Sequence, residues 1–186
     1  SDSGTWQAFI NEAAVFDRGT VGFSIDRLSG TGRVLSETDF VFSVNEDSAA
    51  TLSFAGSGGL VKDGGATLTL DAPADYAGDT VINGGTLRAG GVERFSAASV
   101  HILSEAGILD LAGFDQTIGG LGGSGHILTG GGNLIVDDSG TRTFAGDIAG
   151  GGDVVFRGGG TWTWTSSPVI EGAVSIEAGA LQLDAM

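Results

Sequence analysis

FAGSGGLVKDGGATLTLDAPADYAGDTVINGGTLRAG, residues 54–90, is the stretch that decides the fold. It holds a Gly-rich turn, a short apolar piece at Gly59, Leu60 and Val61, and a second Gly turn. The alternating strand Thr67-Leu68-Thr69-Leu70 follows, then a polar turn carrying Pro73 and two further strand pieces around Val81 and Leu87. Alternation of apolar and polar residues marks a strand with one buried face. Strands this short bury little individually, so they need neighbours of the same shape stacked on them.

The same texture runs outward in both directions. Val21, Phe23 and Ile25, then Phe40, Phe42 and Val44, then Leu52 and Phe54 alternate with polar or small residues. Val100 with Ile102, Leu109 with Leu111, Leu134 with Val136, and Phe144, Ile148, Val154 and Phe156 continue the series. No segment beyond the first twenty residues sustains a 3.6-residue period over more than about ten residues, so little helix is expected. Residues 1–19, with Trp6, Phe9, Ile10 and Val15, suit either a short helix or an irregular cap, and 20–186 read as a single β-helical domain. The start without Met, the lack of a signal peptide and the end in mid-pattern suggest an excised fragment, with any targeting signal outside it.

Internal repetition supports stacking. A shift of 94 positions carries Thr67-Leu68-Thr69-Leu70 onto Thr161-Trp162-Thr163-Trp164 and Gly85-Thr86-Leu87 onto Gly179-Ala180-Leu181. A looser Gly-x-Gly signal ahead of an apolar residue recurs at Gly30, Gly56, Gly123 and Gly150. These spacings fit coils of roughly 20–27 residues. The expectation is a right-handed parallel β-helix, a solenoid of about eight coils of roughly 22 residues, ~40 Å long at ~4.8 Å per coil. Leu68, Leu70, Leu87, Leu109, Leu111, Leu134 and Leu181 would stack inward. An antiparallel sandwich is the rival architecture.

Composition narrows the function classes. The 35 glycines in 186 residues compare with about 13 at average usage. Lying between apolar strand pieces, they indicate turns and close backbone approach, not a flexible linker. Acidic residues outnumber basic ones 23 to 8, a net charge of −15 without an acidic tail. That excludes nucleic acid or an anionic membrane surface as a partner. For a repetitive β protein the charge reads first as solubility. With no Cys, neither a disulfide framework nor a Cys-ligated metal is possible.

Residues 56–90 resemble the passenger-associated transport repeat of bacterial autotransporters, whose usual form is GxGGLxKxGxGTLTLxGxNxYxGxTxIxxGTLxxG. The matching positions are Leu60, Lys62, Gly64, Thr67, Leu68, Leu70, Tyr76, Gly78, Thr80, Gly85, Thr86 and Leu87. The repeat unit spans 54–90. Residues 109–127 are similar to the segment that links such repeats, and 144–184 to a diverged second copy that lacks the Lys and Tyr. Residues 1–35 lie outside the resemblance. It implies a right-handed β-helix exported through a C-terminal outer-membrane β-barrel and displayed or released at the bacterial cell surface, in the extracellular space.

Candidate chemistry is sparse. His101 and His126, the two histidines, are expected to be surface or turn residues and not bases. Asp2, Ser3 and Gly4 carry a serine-protease-like triplet, but no His or Asp precedes it to complete a triad. Asp137 with Asp138, and Asp71 with Asp75, are the carboxylate pairs a β-helical carbohydrate-active enzyme would need, yet acidic pairs in turns are mostly solvated. Gly150-Gly151-Gly152-Asp153 is a lone fragment of a Ca²⁺-binding nonapeptide, so acidic turns hold Ca²⁺ weakly at most. Trp162 and Trp164 share one strand face. The 94-residue shift places them as core residues, not as a sugar platform. The expectation is therefore no catalytic residue, no cofactor and no metal. The chain reads as a structural passenger segment that folds outside the cell and presents an adhesive region. The alternatives are a carbohydrate-active β-helical enzyme or a module adhering directly to host or sibling cells. The expected partners are its own barrel and a host surface, matrix or sibling passengers.

Overall fold

The computed structural model describes residues 7–10, 14–16, 23–24, 27–30, 32–166 and 169–184, with side chains from residue 32 onward. Every ladder among the described residues is parallel, which excludes the antiparallel sandwich. The chain winds as a three-faced β-solenoid of about eight turns. The first face is a nine-stranded sheet that takes one strand from each successive coil, among them Phe40–Ser43, Leu60–Asp63, Thr80–Ile82, Val100–Leu103 and Thr161–Trp164. The second is a seven-stranded sheet running through Ser48–Ala50, Thr67–Leu70, Gly85–Ala89, Gly107–Asp110 and His126–Leu128 to Val169–Ile170.

The third face is built in two four-stranded parts. One ends at Leu52–Gly56 and Asp75–Tyr76, and the other begins at Gln116–Ile118 and runs to Val174–Ile176. Between them the coil segment from Gly90 to Ser99 has no strand. Its backbone is held by side chains: Gln116 Nε2 donates to Gly91 O at 2.7 Å, and Gln116 Oε1 accepts Arg94 N at 2.8 Å and Phe95 N at 3.2 Å. Glu93 accepts both Thr117 N (3.0 Å) and Thr117 Oγ1 (2.8 Å).

Coils are shorter than their glycine spacing suggests. Phe40, Leu60 and Thr80 pair in register 20 residues apart, as do Leu134 and Val154. Glycine starts are a poor ruler because they mark different corners. The 94-residue shift has the same fault. It relates Thr67–Leu70 on the second face to Thr161–Trp164 on the first, so it preserves the alternation of buried and facing residues but not the face. Before Thr20, Gln7–Ile10 and Ala14–Phe16 are strands paired in parallel with Arg27–Gly30 and Gly32–Ser36, and not a helix or an irregular cap.

One continuous apolar column fills the interior. Leu68, Leu70, Leu87, Leu109, Leu111 and Leu134 are fully buried, whereas Leu181 is half-buried over Trp162. It belongs to the last described coil, where Val169, Val174, Ile176 and Leu183 are exposed because no described coil stacks on them. Two glycines show what the tight stacking demands. Gly64 has φ +81°, and a Cβ there would lie 2.3 Å from Val44 O. At Gly78 a Cβ would lie 2.5 Å from Gly59 N in the coil below.

Candidate functional site in a polar seam between coils

In Leu60–Asp63, inward positions alternate, so Lys62 points into the core beside Leu60. The chain's only lysine is 0% exposed. Its ammonium lies at the corner between the first and second faces. There Nζ donates to Asp63 O (2.9 Å), Gly64 O (3.0 Å) and, one coil away, Gly84 O (3.1 Å). These three acceptors use all three ammonium protons. Desolvation pulls its pKa below the ordinary lysine value, while the Asp63 carboxylate works in the opposite direction. Trp164 occupies the corresponding position five coils on in the same sheet, and Nε1 there donates to Gly146 O (3.0 Å) and to Ser166 Oγ (2.8 Å). Ser166 Oγ also donates to Gly146 O. Two unlike side chains thus serve one need, an extra donor for carbonyls at this corner.

One coil above Lys62 lies a buried hydroxyl chain. Tyr76 OH and Thr80 Oγ1 are 2.6 Å apart, Thr80 Oγ1 and Ser99 Oγ 2.7 Å, and Ser96 Oγ donates to Tyr76 O at 2.6 Å. Burial raises the Tyr76 pKa above the ordinary phenol range despite the hydrogen bonds from Thr80 and Ser99. His101 follows Thr80 in the same inward column, packed against Phe95 at 5.8 Å. This corrects the expectation of a surface histidine: His101 is completely buried. Its Nδ1 lies 3.2 Å from Ser99 O, and Nε2 has no protein partner. Alternation along Val100–Leu103 is the signal that would have placed it inside. His126 is exposed as expected, facing Asp147 across the coil at 3.4 Å.

Burial depresses the His101 pKa to about 4, against roughly 6.5 when unfolded. The sign follows: below pH ~6.5 the unfolded chain takes up a proton that the folded chain refuses until about pH 4. Stability is therefore full above that window and falls as the pH drops through it, by about 3 kcal/mol in total. His101→Leu removes that dependence. Urea midpoints measured at neutral and mildly acid pH should separate less in the variant than in the native chain.

The carboxylates have a structural use that the composition did not reveal. Asp39 Oδ1 accepts Gly59 N (2.8 Å) and Asp47 Oδ1 accepts Thr67 N (2.8 Å). Asp115, Asn133 and Asp153 form a ladder up one corner, each side-chain oxygen accepting the backbone N–H of the coil above: Asn133 N at 2.7 Å, Asp153 N at 3.0 Å and Ala173 N at 2.8 Å. The Asp of the Gly150–Asp153 fragment thus belongs to this ladder. Asp137 pairs with Arg157 at 3.0 Å and Asp138 with Arg142 at 2.7 Å. Asp75 faces Arg33 at 3.6 Å, with Asp71 on the other side of the Pro73 turn. No group of three or more His, Cys, Asp or Glu side chains converges among the described residues. Trp162 and Trp164 are buried, Trp162 stacking on Phe156 at 4.1 Å and lying 5.3 Å from Trp164. Asp2, Ser3 and Gly4 lie outside the described residues.

Residues 60–89 match the passenger-associated-transport-repeat family. Over 148 residues, 73% of its length, the chain is 36% identical to an adhesin autotransporter, BmaC, of Brucella suis biovar 1 (strain 1330). The matched stretch is 4% of that adhesin's length. No solved structure matches the chain.

Proposed function

With a transport repeat at residues 60–89 and an adhesin as its relative, the chain is an autotransporter passenger segment, and we propose that it serves as a non-enzymatic adhesive stalk. In this reading it leaves the cell through a C-terminal barrel, folds outside and holds an adhesive surface away from the outer membrane. The observation that carries this is the use of polar groups. Lys62, Asp115, Asn133 and Asp153 are spent on joining coil to coil, and Tyr76 and Asp138 are tied up by partners within their own coil. Energy released by each added coil is available locally, because a solenoid gains its stability between nearest neighbours. The coil around Phe144, Phe156, Trp162 and Trp164 is the bulkiest interior segment. In this reading it forms early and templates the coils before it.

Cell attachment tests the reading. The chain is fused to an outer-membrane barrel and displayed on a bacterium that does not otherwise adhere. Attachment to epithelial monolayers is expected to exceed that of cells displaying the barrel alone several-fold. Equal attachment would refute an adhesive role.

A further inference from the structure

At the corner leading to the third face, three successive coils each expose one apolar residue: Pro73, Val92 (53% exposed) and Phe114 (38% exposed). Backbone bonds flanking them fix their alignment, from Gly90 N to Leu70 O (2.9 Å), Ala74 N to Arg94 O (3.1 Å) and Glu93 N to Asp115 O (3.0 Å). The ridge then stops, because the next coil has Gly130, Gly131 and Gly132 here, and a Cβ at Gly131 would meet only open space. A step of bare backbone thus lies against the Phe114 main chain, where a Cβ at Gly132 would lie 2.4 Å from Phe114 O.

The presentation is held against a conformational cost. Glu93 (φ 50°) and Ala112 (φ 52°) are the positive-φ non-glycine residues among those described, and both sit on this ridge in adjacent coils. The Glu93 carboxylate clamps Thr117, Asp110 Oδ1 accepts Ala112 N at 2.8 Å, and Phe114 N closes the turn onto Leu111 O at 2.9 Å. Each clamp turns Val92 or Phe114 outward. Around the ridge Asp71, Asp75, Glu93 and Asp115 are exposed. The nearby Arg94 guanidinium is folded back onto Val92 O at 2.8 Å.

We propose that Pro73, Val92 and Phe114 form a docking ridge for a protein partner that presents an apolar groove rimmed by lysine or arginine. The flanking carboxylates select a basic rim, and the net charge of −15 steers such a partner while repelling a second copy of this chain. The ridge deepens the adhesive reading and rests on it, since it names the chemistry of what is held.

The probe is a phage-displayed random peptide library, panned on the intact immobilised chain at low ionic strength, where surface charge is least screened. Enriched peptides should combine apolar residues with Lys or Arg. Their binding should fall at least about tenfold in the Val92→Ser, Phe114→Ser double variant. It should also weaken in Asp71→Asn, Asp75→Asn, which leaves the ridge in place, and persist in Leu128→Ser on the second face. Both residues of the double variant are exposed, so its circular dichroism should match the native chain, and the carboxylate variant decides independently if it does not. Enrichment of peptides without basic residues, no enrichment, or equal binding to the variants would overturn the ridge. Peptide binding that ignores the ridge while cells still attach defeats this inference alone. Ridge-dependent peptide binding without cell attachment defeats the adhesive reading alone.

Discussion

Trp164→Ala is expected to destabilise the chain by roughly 3–5 kcal/mol, among the largest effects of any single substitution here. The indole is buried, stands 5.3 Å from Trp162, and donates to Gly146 O and Ser166 Oγ. Truncation removes that volume and leaves the Gly146 carbonyl with Ser166 as its remaining side-chain donor. The last described coil covers this one incompletely, with Leu183 exposed over Trp164. The gap therefore has no second layer to close it. Because a solenoid's coils are coupled to nearest neighbours, the loss should split the unfolding transition in place of shifting it whole, the C-terminal coils melting first in urea. Trp162→Ala, Trp164→Ala together should slow refolding and reduce surface display. Normal display by that double variant would rule out the templating order.

Lys62→Met has the second largest expected effect, a loss of about 2–4 kcal/mol. Methionine fills much of the same space between Phe42 and Ile82, so the apolar packing is nearly conserved. What disappears is the ammonium that satisfies Asp63 O, Gly64 O and Gly84 O at once. Removing the charge also removes its desolvation cost, which is why the expected figure is below the sum of three charge-assisted bonds. A neutral outcome in equilibrium urea unfolding would mean that the cradle contributes nothing.

Much of this was legible in the sequence, for an identifiable reason. Period-two alternation in residues 54–90 says which side chains face in, and Leu68, Leu70 and Leu87 are inside. The transport-repeat signature then pointed to the solenoid, and the family match falls within that stretch. Alternation does not say which face a strand joins. That is how the 94-residue shift aligns Trp162 and Trp164 with leucines of another sheet, although they lie in the same sheet as Lys62, with Trp164 in its column. Nor does it reveal partners one coil away. The roles of Asp115, Asn133 and Asp153 depend on backbone donors 18 to 20 residues further on. His101 was misplaced for a related reason. Residue type leaves histidine intermediate between core and surface, and its strand position, on the same face as buried Leu103 two residues on, places it inside. The docking ridge had no sequence signal, since Pro73, Val92 and Phe114 lie in unlike turns whose alignment exists only after stacking.

The folding account has a direct test in Lys62, the chain's single lysine and a completely buried one. An amine-reactive reagent small enough to cross outer-membrane pores is applied to cells displaying the chain and to cells in which a barrel deletion holds it in the periplasm. Modification of the peptide containing Lys62 is then read by mass spectrometry. If the coils stack only after export, as proposed, Lys62 is protected at the surface and modified in the periplasm. Lys62 protected in the periplasm, or modified on the displayed chain, would contradict it.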